Sequence, residues 1–362
     1  MSDDVHTTDS ASDPSGSETC WRDLRRLVNA DPEEGGGEAW RVLWVTGAQN
    51  DSQLVGHDGG VNSVVTAFSD GRRIVVSGSA DQTVQVRELE SGRPLGPALS
   101  DLSGRVWAVA AEVVDGRPVV VTAGDWAVRV WDLAGREAIR ELPGVDGEVW
   151  CVGTAVVEGR ACAFASDDDV AVRVWDLAGG GEQVRELTGH DDFVMAVDTL
   201  VIDGRPHAVA AMSRGRIWTW DLTTGQPVGE PLPGHDGEAW AVATAVVDGR
   251  NHVITAGYDA TVRVWDLAAG REVGRLVGHE GTVSAVVCAE IGGELRIVTG
   301  GADGTVCLWE PGTWRRTGRE LVFPAPVHAL TVTPEGSLVV GFGGDIAVLV
   351  PHGDTRTGES TP

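Results

Sequence analysis

No lysine occurs in this chain; the 28 basic residues among its 362 are all arginine. That excludes a GKS/GKT phosphate loop, whose lysine must reach the β/γ-phosphates. It equally excludes a protein-kinase site, a pyridoxal Schiff base and an SxxK hydrolase. Cysteine is scarce, and Cys20, Cys151, Cys162, Cys288 and Cys307 form an odd set without CxxC spacing. Four of them sit inside apolar runs such as TVCLW, where a reduced thiol behaves as a small hydrophobe. No HExxH and no Cys/His cluster with ligand spacing is present, so neither a metal nor another cofactor is expected. Asp167-Asp168-Asp169 lacks the glycine and terminal glutamate of an EF-hand loop. No apolar run approaches the roughly twenty residues of a membrane span. The stretch MSDDVHTTDS has neither the basic nor the apolar region of a secretory signal. The expected compartment is the cytoplasm.

Positive charge is also short overall: 54 Asp and Glu against 28 Arg leave a formal net charge of −26. Such a surface repels phosphates, so neither nucleic acid nor anionic membrane is an expected partner. Basic peptides or basic protein surfaces fit better, unless the acidity serves solubility alone. Arginine without lysine, beside abundant Ala, Gly and Val, points to a GC-rich bacterial coding bias, with a halophile as the second source. At this length the chain exceeds what one ordinary core organises, which leaves several domains or a repeated unit.

A repeat is present. RVWDLA recurs at Arg129, Arg173 and Arg263, with variants TWDLTT at Thr219 and CLWEPG at Cys307. Gly-His pairs end at His57, His190, His235 and His279, and the same position falls at Leu102, Val145 and Phe323. The steps are 45, 43, 45, 45, 44 and 44 residues. Within each unit an alternating run such as AWAVATAVV reads as a strand. An acidic-Gly pair follows it (Asp70-Gly71, Asp115-Gly116, Glu158-Gly159, Asp203-Gly204, Asp248-Gly249), supplying the positive φ angles of a two-residue hairpin. Then come a second apolar run, an aspartate turn, a third strand ending in Trp-Asp, and a more polar fourth. Four antiparallel strands in about 44 residues make one propeller blade.

With these marks the chain resembles the WD-repeat (WD40) β-propeller family over roughly residues 39–351. Trp131-Asp132, Trp175-Asp176, Trp220-Asp221 and Trp265-Asp266 are literal WD pairs; Arg87-Glu88 and Trp309-Glu310 are degenerate. Six units are clear, and Val327–Val350 keeps the strands of a seventh without the motif residues. The resemblance implies an all-β, seven-bladed propeller whose ring is closed by an N-terminal strand. RVLWVTGAQNDSQLVGH matches RVWDLAAGREVGRLVGH in length, which puts the closing fourth strand at 50–55 and a third-strand mimic at 41–45. The C-terminal unit has its own third strand at Ile346–Val350, so one of the two is surplus. Residues 1–38 read as an acidic, largely disordered arm with a candidate short helix at 20–28, where Trp21, Leu24, Leu27 and Val28 share a face. Residues 352–362 read as a tail.

His, Asp and Ser/Thr in one unit invite a hydrolase reading. The family resemblance implies instead a structural hydrogen-bond network, complete as His235, Thr255, Asp259 and Trp265 and again as His279, Thr299, Asp303 and Trp309. His57, Ser77 and Asp81 form a set without the tryptophan, because Arg87 stands there. A catalytic triad is needed once; a group repeated in some units and degraded in others behaves as a staple. Blade three would use Asp169, and Arg214 replaces the aspartate of blade four.

The resemblance places the residue five after the histidine position at the mouth of the central channel: Asn62, Trp107, Trp150, Met195, Trp240, Ser284 and His328. Two places earlier stand Glu148, Phe193 and Glu238, and Tyr258 belongs to the same face. Aromatic faces flanked by carboxylates suit a guanidinium or ammonium group. The candidate partner site is therefore Trp107, Glu148, Trp150, Phe193, Met195, Glu238, Trp240 and Tyr258, on a non-enzymatic module that binds a protein or peptide. Alternatives are tryptophans that merely plug the channel, a regulatory propeller acting on a separate kinase or NTPase, and an enzyme on the propeller face.

Overall fold

A computed structural model describes residues 40–47, 54–100, 102, 104–167 and 171–351. The arm at 1–38, its candidate helix, Asp168, Asp169 and the tail lie outside the described residues. The rest forms seven antiparallel sheets. Their innermost strands are Val61–Ser69, Val106–Val114, Cys151–Val157, Val194–Ile202, Ala239–Val247, Val283–Ile291 and Val327–Val332, belonging to blades one to seven in that order. Each neighbours the next, and the seventh neighbours the first, which closes a ring. The protein is a seven-bladed β-propeller.

The hairpin chemistry explains the repeat's first turn. Asp70, Asp115, Asp203 and Asp248 have φ of 50°, Glu158 has 51°, and the glycine after each is also positive. Two successive positive φ angles define the type I′ turn that matches the twist of the flanking strands. Blade six reaches the same geometry with Gly292-Gly293.

Five sheets have four strands, whereas blades one and four have three plus an edge segment held by isolated bridges. Their edge sequences, RPLGPALS and QPVGEPLPG, are broken by Pro94, Pro97, Pro227, Pro231 and Pro233. Proline has no N–H for the ladder, so only scattered bridges survive there.

The closing strand is Trp40–Val45, paired antiparallel with Asp345–Pro351 to complete blade seven. This corrects the placement at 50–55: Leu54 and Val55 belong to no strand, and 50–53 lie outside the described residues. The choice follows from two-sided burial. Trp40 packs in the cluster that joins blade seven to blade six. Trp44 turns the other way and donates its indole N–H to the Leu89 carbonyl of blade one at 2.6 Å.

Candidate functional site

The repeated histidine sits in the frame. His235 donates from Nδ1 to Asp259 Oδ1 at 2.9 Å and accepts at Nε2 from the Thr255 hydroxyl, 2.9 Å away. Thr255 Oγ1 in turn accepts the Trp265 indole N–H at 3.0 Å. Thr255 is fully buried, so no substrate reaches the hydroxyl that a triad would use as nucleophile. Burial depresses the His235 pKa despite the neighbouring carboxylate, which keeps the ring neutral. Burial also works against the Asp259 carboxylate, but hydrogen bonds from Thr261 and His235 outweigh it and hold its pKa well below the usual range. His279, Thr299, Asp303 and Trp309 repeat the set, with 3.0 Å, 2.8 Å and 2.9 Å links. In blade one His57 reaches Asp81 at 2.9 Å and Ser77 at 2.8 Å. There the Arg87 guanidinium bonds the Val55 and Gly92 carbonyls in place of the missing tryptophan.

Blades two, three and four keep one feature, a carboxylate accepting a backbone amide between the blade's entry loop and its second turn. In blades one, five and six Asp81, Asp259 and Asp303 accept from the amides of Asp58, Asp236 and Glu280. In blade two Asp125 accepts from Arg105. In blade three Asp167 accepts from Asp146 and pairs with Arg173 at 2.6 Å. In blade four the polarity is inverted: Asp192, on the entry loop, accepts from the Arg214 amide at 2.7 Å and from the Ser213 hydroxyl. Nothing in the sequence motif marked Asp125 or Asp192, because each lies outside the aspartate position of the complete repeat.

The channel mouth is built by β-bulges. In six inner strands the register skips one residue near the start, and the skipped residues are Asn62, Trp107, Met195, Trp240, Ser284 and His328. Trp150 immediately precedes the first pair of the seventh, Cys151 with Ser166. A bulge re-aims a side chain out of the pleat. All seven residues line one cavity of about 450 Å³, together with Tyr258, Thr282 and Ala302. Of the eight candidate partner residues, the cavity gathers Trp107, Trp150, Met195, Trp240 and Tyr258. Glu148, Glu238 and Phe193 do not line it; Phe193 is exposed beside it in sequence, and the Glu238 carbonyl accepts the Tyr258 amide at 2.9 Å.

The aromatic groups are not equivalent. Trp107 and Trp150 pack on each other, with ring centroids 4.6 Å apart at 34°. Asp125 fixes Trp107 through its indole N–H at 3.1 Å. The outer face of Trp107 carries the chain's own Arg105 guanidinium, 5.6 Å from the ring centroid. Tyr258 is 64% exposed, and the buried Trp240 indole N–H has no hydrogen-bond partner. Desolvation at the channel mouth lowers the His328 pKa, which favours its neutral form. Around the aromatic cluster the residue after the histidine position is exposed Asp58, Asp146, Asp191, Asp236 and Glu280. Among the described residues no group of three or more His, Cys, Asp or Glu side chains could hold a metal ion.

A propeller with an aromatic-walled mouth is the class that fold and site define. Compared with known families, residues 49–87, 225–266 and 270–310 match the WD domain, G-beta repeat. These matches fall on blades one, five and six, the three blades whose histidine, hydroxyl and aspartate are all present. Propellers of such repeats are in general non-enzymatic scaffolds that bind protein partners. No curated protein matches the chain.

Proposed function

We infer that this chain is a recognition module that binds a protein or peptide segment at the channel mouth, and that the segment presents an arginine or lysine side chain to the aromatic cluster. The carrying observation is the cavity walled by Trp107, Trp150, Trp240, Met195 and Tyr258. A cation over an aromatic face gains about 0.5–2 kcal/mol, the larger value when desolvated. The chain's own Arg105 guanidinium over Trp107, 5.6 Å from the ring centroid, supports this reading. The surrounding carboxylates favour approach of a basic segment and hold off phosphate-bearing polymers. Because Trp107 and Trp150 close on each other, the open faces for a partner are those of Trp150 toward the cavity, Trp240 and Tyr258.

Tryptophan fluorescence titration with arginine-rich peptides tests the reading. Trp150→Ala with Trp240→Ala is expected to weaken binding by roughly 10- to 30-fold, the equivalent of losing one to two such contacts. Arg105→Ala is expected to tighten it a few fold, since a competing positive charge leaves the mouth. Unchanged affinity in the double tryptophan variant would overturn the proposal.

A further inference from the structure

The face opposite the mouth carries a ring of its own. The next-to-last residue of the inner strand is Phe68, Val113, Val156, Val201 and Val246 in blades one to five, each 57 to 63% exposed. Single exposed apolar residues are ordinary; the same position exposed in five successive blades is a surface. Between blades seven and one it opens into a groove of about 800 Å³ bordered by Thr66, Phe68, Arg72, Leu89, Pro334 and Glu335. Arg73 crosses that groove, pairing with Glu90 at 2.8 Å in its own blade and Glu335 at 2.9 Å in blade seven. With Glu88 opposite Arg72 at 3.7 Å, the lining carries one more negative than positive charge.

The chain enters the propeller at this same face. Trp40 pairs with Pro351, at the end of blade seven away from the mouth. It is three strand spacings, roughly 15 Å, from the inner strand that leads to Pro334. Residues 29–39 separate Trp40 from CWRDLRRLV, a length that reaches up to roughly 40 Å when extended. Trp21, Leu24, Leu27 and Val28 supply an apolar stripe at helical spacing. All three arginines of residues 1–39, Arg22, Arg25 and Arg26, fall in the same stretch.

We propose that residues 20–28 dock in the groove between blades seven and one, apolar stripe against Phe68, Leu89 and Pro334, with the arginines facing Glu88, Glu90 and Glu335. The propeller thereby covers part of its own apolar ring with its N-terminal segment, leaving the opposite mouth open. This is independent of what the mouth binds.

Native Cys20 makes the proposal measurable in the full chain. Arg72→Cys places a thiol on the groove wall at an exposed position. Glu290→Cys places one at an exposed position on the same face, at the other flank of blade seven. Under mild oxidation of dilute protein, the intramolecular link from Cys20 is expected to form about tenfold faster in the Arg72→Cys chain, because docking raises the local concentration there. Adding Leu24→Asp is expected to equalise the two rates. Equal rates without that change would mean the segment samples both flanks and would overturn the proposal. Links formed chiefly between molecules would overturn it too, by assigning the groove to a second copy.

Discussion

Blade five ties His235, Thr255, Asp259 and Trp265 into one run of hydrogen bonds. Blade four, one step back around the ring, keeps His190 and Trp220 but has Ala210 where blade five has Thr255. His190 Nε2 is left buried without a partner, and the Trp220 indole turns to the Thr188 carbonyl at 3.0 Å. Blade three, with Ala165 at that position, makes the same move: Trp175 donates to the Pro143 carbonyl. In blade seven the polar set gives way to Phe323 against Phe342, centroids 5.0 Å apart. What blades one to six share is a carboxylate that accepts a backbone amide between entry loop and second turn, and several side-chain arrangements accompany it. The full motif is one of them, which is why a blade can lose it and keep its fold. Erosion also frees groups for other work: Asp125, with no histidine to hold, anchors Trp107 at the mouth.

This contrast can be broken from either side. Thr255→Ala strips blade five of the hydroxyl shared by His235 and Trp265 and leaves two buried groups unpaired, at an expected cost of about 2–4 kcal/mol. A denaturant midpoint close to that of the unaltered chain would show that blade five can use the carbonyl alternative without loss. Ala210→Thr gives blade four the missing hydroxyl beside His190 Nε2, with an expected gain of about 1 kcal/mol. A lowered midpoint would mean that blade four has packed around the alanine. The smallest effect concerns pH. His57 and His235 are held below their ordinary 6.5 by burial, so the unfolded chain binds more protons than the folded one as pH drops below that value. Their contribution is therefore present above about pH 6.5 and lost as pH falls toward the folded values. The midpoint should decline on going from about pH 7 to 5, and less steeply in His235→Gln; an identical slope would remove His235 from the account.

Much of this was legible in the chain. The 43- to 45-residue steps set seven units, and counting five residues from each histidine position found seven residues of one cavity. Spacing did not reveal the bulges that aim them, since AWAV reads as plain alternation whether or not Trp240 is skipped. The closing strand was ambiguous because RVLWVTGAQNDSQLV imitates two adjacent strands. Only packing of Trp40 and Trp44 on opposite neighbours decides the register. Glu148 and Glu238 do not line the cavity: each stands two residues before its tryptophan, and the Glu238 carbonyl accepts the Tyr258 amide. Asp167 and Asp192 were invisible as anchors because they work from positions the repeat does not use.

The proposed division of labour assigns the reactive-looking histidine to the frame and the plain aromatic residue five places later to binding. Its most direct test measures unfolding midpoint and affinity for one arginine-rich peptide side by side in His235→Ala and Trp240→Leu. The expected result is crossed: His235→Ala lowers the midpoint and keeps the affinity, whereas Trp240→Leu weakens binding and leaves the midpoint nearly in place. Loss of binding in His235→Ala with an intact midpoint would contradict it.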